Sequence, residues 1–352
     1  MFRLITPISA FLLLAACSDP HPFEFGTPGT TIGAISDETT GTTTDEAAED
    51  TGTLDVGVTL PDGTASPVAA GSIFRFEAPD VSGGGLVTSV TYNSVDDEFT
   101  IDNLGFDGDN VYERGIVVGT LGEDLQQYAV YSAADIAYDA LDNDPIDQNG
   151  PYRAIIGVSD NLVDGEPRTA FAIVRTGGYV DYGFGGFIYE RNGGVSLPIA
   201  GQAHFEGEYA GIRVFQGRSG LELTTGDIEV DIDFGDFNVN DAVNGTISNR
   251  LAFEVDGTPI ATGGAEQLLL PEIYFTVVEG AATLTDDGEI YGTLSNTVDA
   301  EVYESGTYYG IMSGDMTTLP GGELVGIFVV ESEDPRYVDV FAQETGGFIL
   351  YR

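Results

Sequence analysis

The chain has 352 residues, with 58 acidic side chains against 12 Lys or Arg and a formal net charge of −46. All 12 are arginine, so no face can gather the cations that neutralise phosphates, which excludes nucleic acid and docking on anionic lipid as modes of binding. Hydrophobic residues make up 42% and aromatics 11%, enough for a sizeable core, and the 48 glycines point to many turns rather than long helices.

Residues 1–17 read as a secretory leader, with Arg3 as the positive charge, an apolar stretch over 4–14, and Ala15 and Ala16 as the small residues. The apolar stretch is shorter than the roughly 20 residues a permanent membrane helix needs. Leu14-Ala15-Ala16-Cys17 resembles the lipobox of bacterial lipoproteins. The resemblance implies cleavage before Cys17 and covalent lipid on Cys17, the sole cysteine. With Ser18 rather than Asp after the cysteine, it also implies outer-membrane sorting, and the mature chain would carry no thiol. Residues 18–53 follow with ten Thr and eight acids, and are expected to form a disordered acidic tether. As a flexible coil such a segment spans on the order of 30 Å.

From residue 54 onward the pattern is β. Period-two alternation and turn residues mark strands over 54–60, 72–77, 86–92, 98–104, 112–119, 126–132, 153–158, 169–175 and 184–190. One short helix is expected over 133–141, where Ala133, Ile136, Ala137, Ala140 and Leu141 share a loose face. Residues 54–198 thus form a β-rich first unit, ending where Asn192-Gly193-Gly194 and Pro198 interrupt the alternation.

Residues 199–352 carry a sharper signal. Asp227, Glu229, Asp231 and Asp233 alternate with Ile228, Val230, Ile232 and Phe234, so one face is wet and the other buried. With like strands over 202–215, 244–255, 270–278, 288–296, 301–316, 323–331 and 345–351, the count reaches eight, spaced for an antiparallel up-and-down barrel. Carboxylates on its outward face exclude a membrane-spanning pore, which needs apolar residues there. The fold class expected is therefore all-β, a handle-like unit followed by an eight-stranded barrel.

Several segments share a glycine–aromatic strand motif: Phe205-Glu206-Gly207-Glu208-Tyr209-Ala210-Gly211, Val230-Asp231-Ile232-Asp233-Phe234, Asn244-Gly245-Thr246-Ile247, Gly306-Thr307-Tyr308-Tyr309-Gly310 and Glu323-Leu324-Val325-Gly326-Ile327-Phe328. Over residues 199–352 they resemble the barrel of the transferrin-binding protein B family of surface lipoproteins. That resemblance implies a preceding handle of twisted sheet and capture of host proteins or iron carriers through handle and barrel-cap loops. The chain has room for one such lobe, not two, and no contact residue carries over.

Signals for catalysis are sparse. Only His21 and His204 are histidines, too few for a multi-histidine metal site, and no cysteine nucleophile remains once Cys17 is lipidated. No catalytic residue and no resident cofactor are expected. Asp107-Gly108-Asp109-Asn110 and Asp142-Asn143-Asp144-Pro145-Ile146-Asp147 offer oxygen ligands for calcium, though neither completes an EF-hand loop. Tyr179, Tyr182 and Phe184, with Tyr308 and Tyr309 in the barrel, are the aromatic candidates for touching a partner. Tyr179, Tyr182 and Phe184, with Phe187 and Tyr189, can equally pack a seam between two β units. Two functions remain open: a non-catalytic binding lipoprotein for a protein or small solute, or a structural or adhesive surface protein.

Overall fold

The computed structural model describes residues 23–26 and 58–352, apart from 94, 103, 106–109, 116, 123–126, 134–135, 139–144, 148–151, 179–180, 236–241, 262–266 and 277–281. Every regular element among the described residues is a β-strand; most gather into two large sheets, and two short hairpins pair apart from them. No helix of the described residues is long and apolar enough to cross a membrane.

The second sheet closes on itself. Of its ten strands, the short Val195–Ser196 and Ala282–Leu284 pair at its margins. The other eight run Gln202–Gln216, Leu221–Asp233, Val243–Phe253, Ile273–Phe275, Glu289–Val298, Glu301–Asp315, Gly322–Glu333 and Phe341–Tyr351, each paired antiparallel with the next. The last returns to the first through pairs such as Ile212↔Thr345, which closes an eight-stranded antiparallel barrel. Asp227, Glu229 and Asp231 are exposed while Ile228, Val230 and Ile232 are fully buried, as the alternation predicts. Phe205, Phe275, Leu294, Tyr308, Phe328 and Phe348 fill the interior with their neighbours. Glycine makes that filling possible: a Cβ at Gly346 would lie 2.3 Å from the Phe328 ring.

The first sheet is open and curls into a half-barrel. Its order is Phe23–Gly26, Val90–Asn93, Glu98–Ile101, Val111–Arg114, Tyr128–Ala133, Tyr152–Val158, Thr169–Thr176, Gly185–Arg191, Ile73–Phe76 and Asp62–Gly63. Both faces of its central strands are covered, so Thr169–Thr176 and Gly185–Arg191 are buried at every residue. Val90, Phe99, Tyr112, Tyr152, Ala172 and Ile188 belong to one core, while Phe171, Ile173, Phe187 and Tyr189 belong to another that includes the barrel wall. Continuous apolar runs such as Ala170–Val174 follow from this two-sided burial.

Three expectations change. The described residues within 133–141 do not form the predicted helix: Ala133 ends a strand, and Ile136–Tyr138 pairs antiparallel with Pro145–Asp147. A strand partner across an Asp-rich connection outweighs a weak helical face. Residues 18–53 are not wholly tether, because Phe23–Gly26 lies parallel to Val90–Asn93 at the sheet edge and Phe23 is buried. One aromatic side chain with a free sheet edge nearby is enough to draw in a segment whose composition otherwise reads as disordered. In the expected strand over 54–60, residues 58–60 are irregular and pairing begins at Asp62–Gly63; 54–57 lie outside the described residues.

Candidate binding surface

The barrel wall that faces the first sheet is apolar. Ala210, Ile212 and Val214 alternate outward along one strand, and with Val325, Ile327 and Ile349 they meet Ile155, Phe171, Ile173 and Phe187. Gly347 lets the sheet approach, since a Cβ there would fall 2.3 Å from the Phe171 ring. Polar groups frame this seam. Arg75 makes a two-pronged bond to Glu289 at 2.7 Å on both prongs. Glu323 accepts from the Ser159 and Thr169 hydroxyls at 2.8 Å each and from Asn161 at 2.6 Å. Among the described residues Arg191 meets no carboxylate; it donates to the carbonyls of Val68, Gly71, Asp287 and Met312. Burial pulls its pKa down to about 10, against the raising effect of Asp287 and Glu289.

Inside the barrel, the end that carries the turns 217–220, 299–300 and 334–340 is charged rather than apolar. Arg213 lies on the inward parity of its strand and pairs with Glu222 at 3.4 Å and Asp334 at 3.2 Å. Arg336 bonds the same two acids. Deeper in the network, Arg250 bridges Glu304 at 2.8 Å and Glu344 at 2.7 Å. Tyr209 and Thr224 donate to Glu344, and Asn296 to Glu304. Buried ions survive only when paired and hydrogen-bonded, and this network supplies both. Burial works against the Arg250 charge, but Glu344, Tyr209 and Glu304 outweigh it and hold its pKa well above the ordinary guanidinium value. Burial also lifts the Glu222 carboxyl, and its arginine neighbours do not fully reverse the shift. Burial would raise Asp334 as well, yet the bonds from Arg336 and the charge of Arg213 hold it below the usual carboxylate range.

On the outside of this same end lies a cleft of about 580 Å³. Its walls include Val298, Asp299 and Val302 from one hairpin, Glu331 and Glu333 from the next, and Phe341 from the last strand. Val302 is 66% exposed, Val298 43% and Phe341 41%, unusual for apolar side chains gathered in one place.

The aromatic candidates fall elsewhere. Tyr308 is wholly buried in the barrel core, at an inward position of its strand, so it cannot touch a partner. Tyr309 points outward but is covered by the first sheet, its ring 6.4 Å from that of Phe187. Tyr182 packs at the same seam, where burial and nearby Glu331 and Asp181 push its pKa up to about 12. Phe184 packs against the other core of the first sheet. The seam alternative therefore describes Tyr182, Phe187 and Tyr189, and packing against one core or another accounts for all four candidates. Tyr179 lies outside the described residues, as do Cys17, 107–109 and 142–144 of the calcium candidates. His204 is on the outer barrel surface, its Nδ1 2.8 Å from Asp231. Among the described residues, no group of three or more His, Cys, Asp or Glu is placed to hold a metal ion.

Solved structures give a further comparison. In fold, the chain is similar to transferrin-binding protein B. A mutant of that vaccine antigen from Haemophilus parasuis Hp5 is 13% identical over 74% of this chain and 44% of its own, with a TM-score of 0.30. The intact Ap-TbpB, with N and C lobes, is 11% identical over 81% of this chain and 61% of its own, at a TM-score of 0.28. A DUF3598 protein of unknown function from Nostoc punctiforme is 10% identical over 78% of this chain and 87% of its own, at 0.22. The chain thus spans about half of the transferrin-binding protein structures it matches. No family model matches the chain, and no curated protein does.

Sequence reasoning missed the cleft. Val298 and Val302 flank an acidic turn, which is a visible oddity, but Phe341 and Glu331 reach the same place from other strands.

Proposed function

We propose that this chain is a bacterial surface lipoprotein, anchored at the outer membrane through lipid on Cys17, that binds a partner without catalysis. The observation that carries the binding reading is the cleft at the barrel end, where apolar side chains stay exposed beside carboxylates. The barrel interior is packed with aromatic and aliphatic side chains at one end and paired ions at the other, so binding of a small solute inside it is disfavoured and the partner is met on the surface. The filled interior is also what a purely structural or adhesive surface protein would show, which keeps that second reading alive.

Native mass measurement of the chain isolated from its own membranes tests the reading. A stoichiometric partner retained on the chain, together with uptake of labelled fatty acid that Cys17→Ala abolishes, is the expected result. A bare chain that turns over a substrate in an activity screen overturns the binding assignment, and equal labelling of both proteins overturns the anchor.

A further inference from the structure

The barrel end sorts its charges in an uneven way. Inside, each of the four carboxylates Glu222, Glu304, Asp334 and Glu344 has an arginine. Outside, Asp299, Glu301, Glu331 and Glu333 line the cleft, and no ion pair to any of them exists among the described residues. With 12 arginines against 58 acids in the chain, where arginine goes is informative. Four of them gather at this end, and Arg213, Arg218, Arg250 and Arg336 all turn to the inner acids. Arg218 also stacks over Phe215 and Tyr337. The rim is left with negative charge and uncovered apolar surface in the same cleft.

We propose that the cleft seats a basic peptide segment of a partner protein. An aliphatic or aromatic side chain of that segment packs between Val298, Val302 and Phe341, and flanking Lys or Arg side chains meet the rim carboxylates. This deepens the binding reading above and rests on it. Charge complementarity sets the partner's sign, and the exposed apolar residues set its class. A free metal ion or a small polyamine would leave Val302 and Phe341 wet. A second copy of this chain is a poor occupant, because a net charge of −46 repels its like.

Fluorescence anisotropy on the full chain tests this with three labelled probes: a peptide alternating Lys and Leu, one alternating Glu and Leu, and one alternating Lys and Ser. The Lys/Leu peptide is expected to bind, the other two at least about tenfold more weakly, with affinity falling as salt rises toward about 500 mM. Diffuse attraction to an acidic protein is separated by variants. Glu301→Gln/Glu331→Gln/Glu333→Gln should weaken Lys/Leu binding about tenfold or more, whereas Asp227→Asn/Glu229→Gln/Asp231→Asn on the barrel's outer face should change it less than about twofold. Val302→Asp adds a charge that would strengthen any unspecific attraction, yet should also cost about tenfold because the apolar seat is lost. Val302 is solvent-exposed, so a circular dichroism melt should find that variant folded. Equal effects of the two triple variants, or an indifferent Val302→Asp, overturn the proposal; so does dimerisation in sedimentation that Val302→Asp abolishes. If the peptide fails while a partner is retained in the native mass measurement, the cleft assignment falls and the binding reading stands.

Discussion

His204 and Arg250 show how the same kind of ion pair acts differently in water and in the interior. His204 sits opposite Asp231 across two strands, and its bond to the Asp231 carboxylate, aided by Glu229 and Glu206, raises its pKa above the ordinary 6.5 despite some desolvation. A raised histidine stabilises the fold fully below pH 6.5 and loses that contribution as pH climbs through its folded value. Proton NMR should find His204 titrating above 6.5, and Asp231→Asn should bring it down toward that value. The same Asp231→Asn should shift stability by less than about 0.5 kcal/mol, since exposed pairs contribute little. Arg250, 0% exposed, is the opposite case. Arg250→Met leaves Glu304 and Glu344 buried without a cation and should cost about 3–5 kcal/mol in urea unfolding. Adding Glu304→Gln and Glu344→Gln should restore part of the loss, because the orphaned charges are then gone.

Strands and turns carry the next level of the energetics. Over residues 227–233 one face of the strand is wet and the other packs the barrel. Phe234, just beyond it, is 2% exposed, and Phe234→Ala should cost about 3–5 kcal/mol, far more than any acid on the wet face. Equal costs for Phe234→Ala and Asp231→Asn would mean that the register is slipped by one residue. The hairpin that joins Glu289–Val298 to Glu301–Asp315 turns through two residues only, Asp299 and Ala300, with φ of 53° and 69°. Such turns favour glycine at the second place, since a Cβ in the left-handed region costs on the order of 1 kcal/mol. Ala300→Gly should therefore raise the melting temperature, and an unchanged or lower value would show that the turn is not strained.

Across the whole molecule, the two sheets depend on one another. The apolar seam joins them, and Arg75–Glu289 and the Arg191 carbonyl cluster tie its polar frame. Arg75→Met strands a buried Glu289 and should lower the unfolding midpoint of both units together, in one calorimetric transition. Two separated transitions, only one of which moves, would show that the seam does not couple them. The barrel alone would expose Ile212, Val214, Ile327 and Ile349 as a contiguous patch, the kind of surface that aggregates.

The features legible in the chain's order of residues were local in origin. Alternation over 227–234 was legible because one side of that strand meets water, and like alternation in seven further segments with turns between them gave a barrel of eight strands. Where both faces are buried the signal disappears: Tyr209–Phe215 and Thr169–Thr176 are buried throughout, so period two cannot separate barrel interior from seam. Arg213 and Arg250 look like surface residues by type, yet they lie inside because their acids arrive from distant strands, Asp334 to the one and Glu344 to the other. Tyr308 and Tyr309 are neighbours in sequence with the same chemistry, and the pleat sends one into the core and the other to the seam. Only the tertiary structure could decide which of the many acids remain without a cation, because the chain's few arginines are distributed by contacts such as Arg75–Glu289, 214 residues apart.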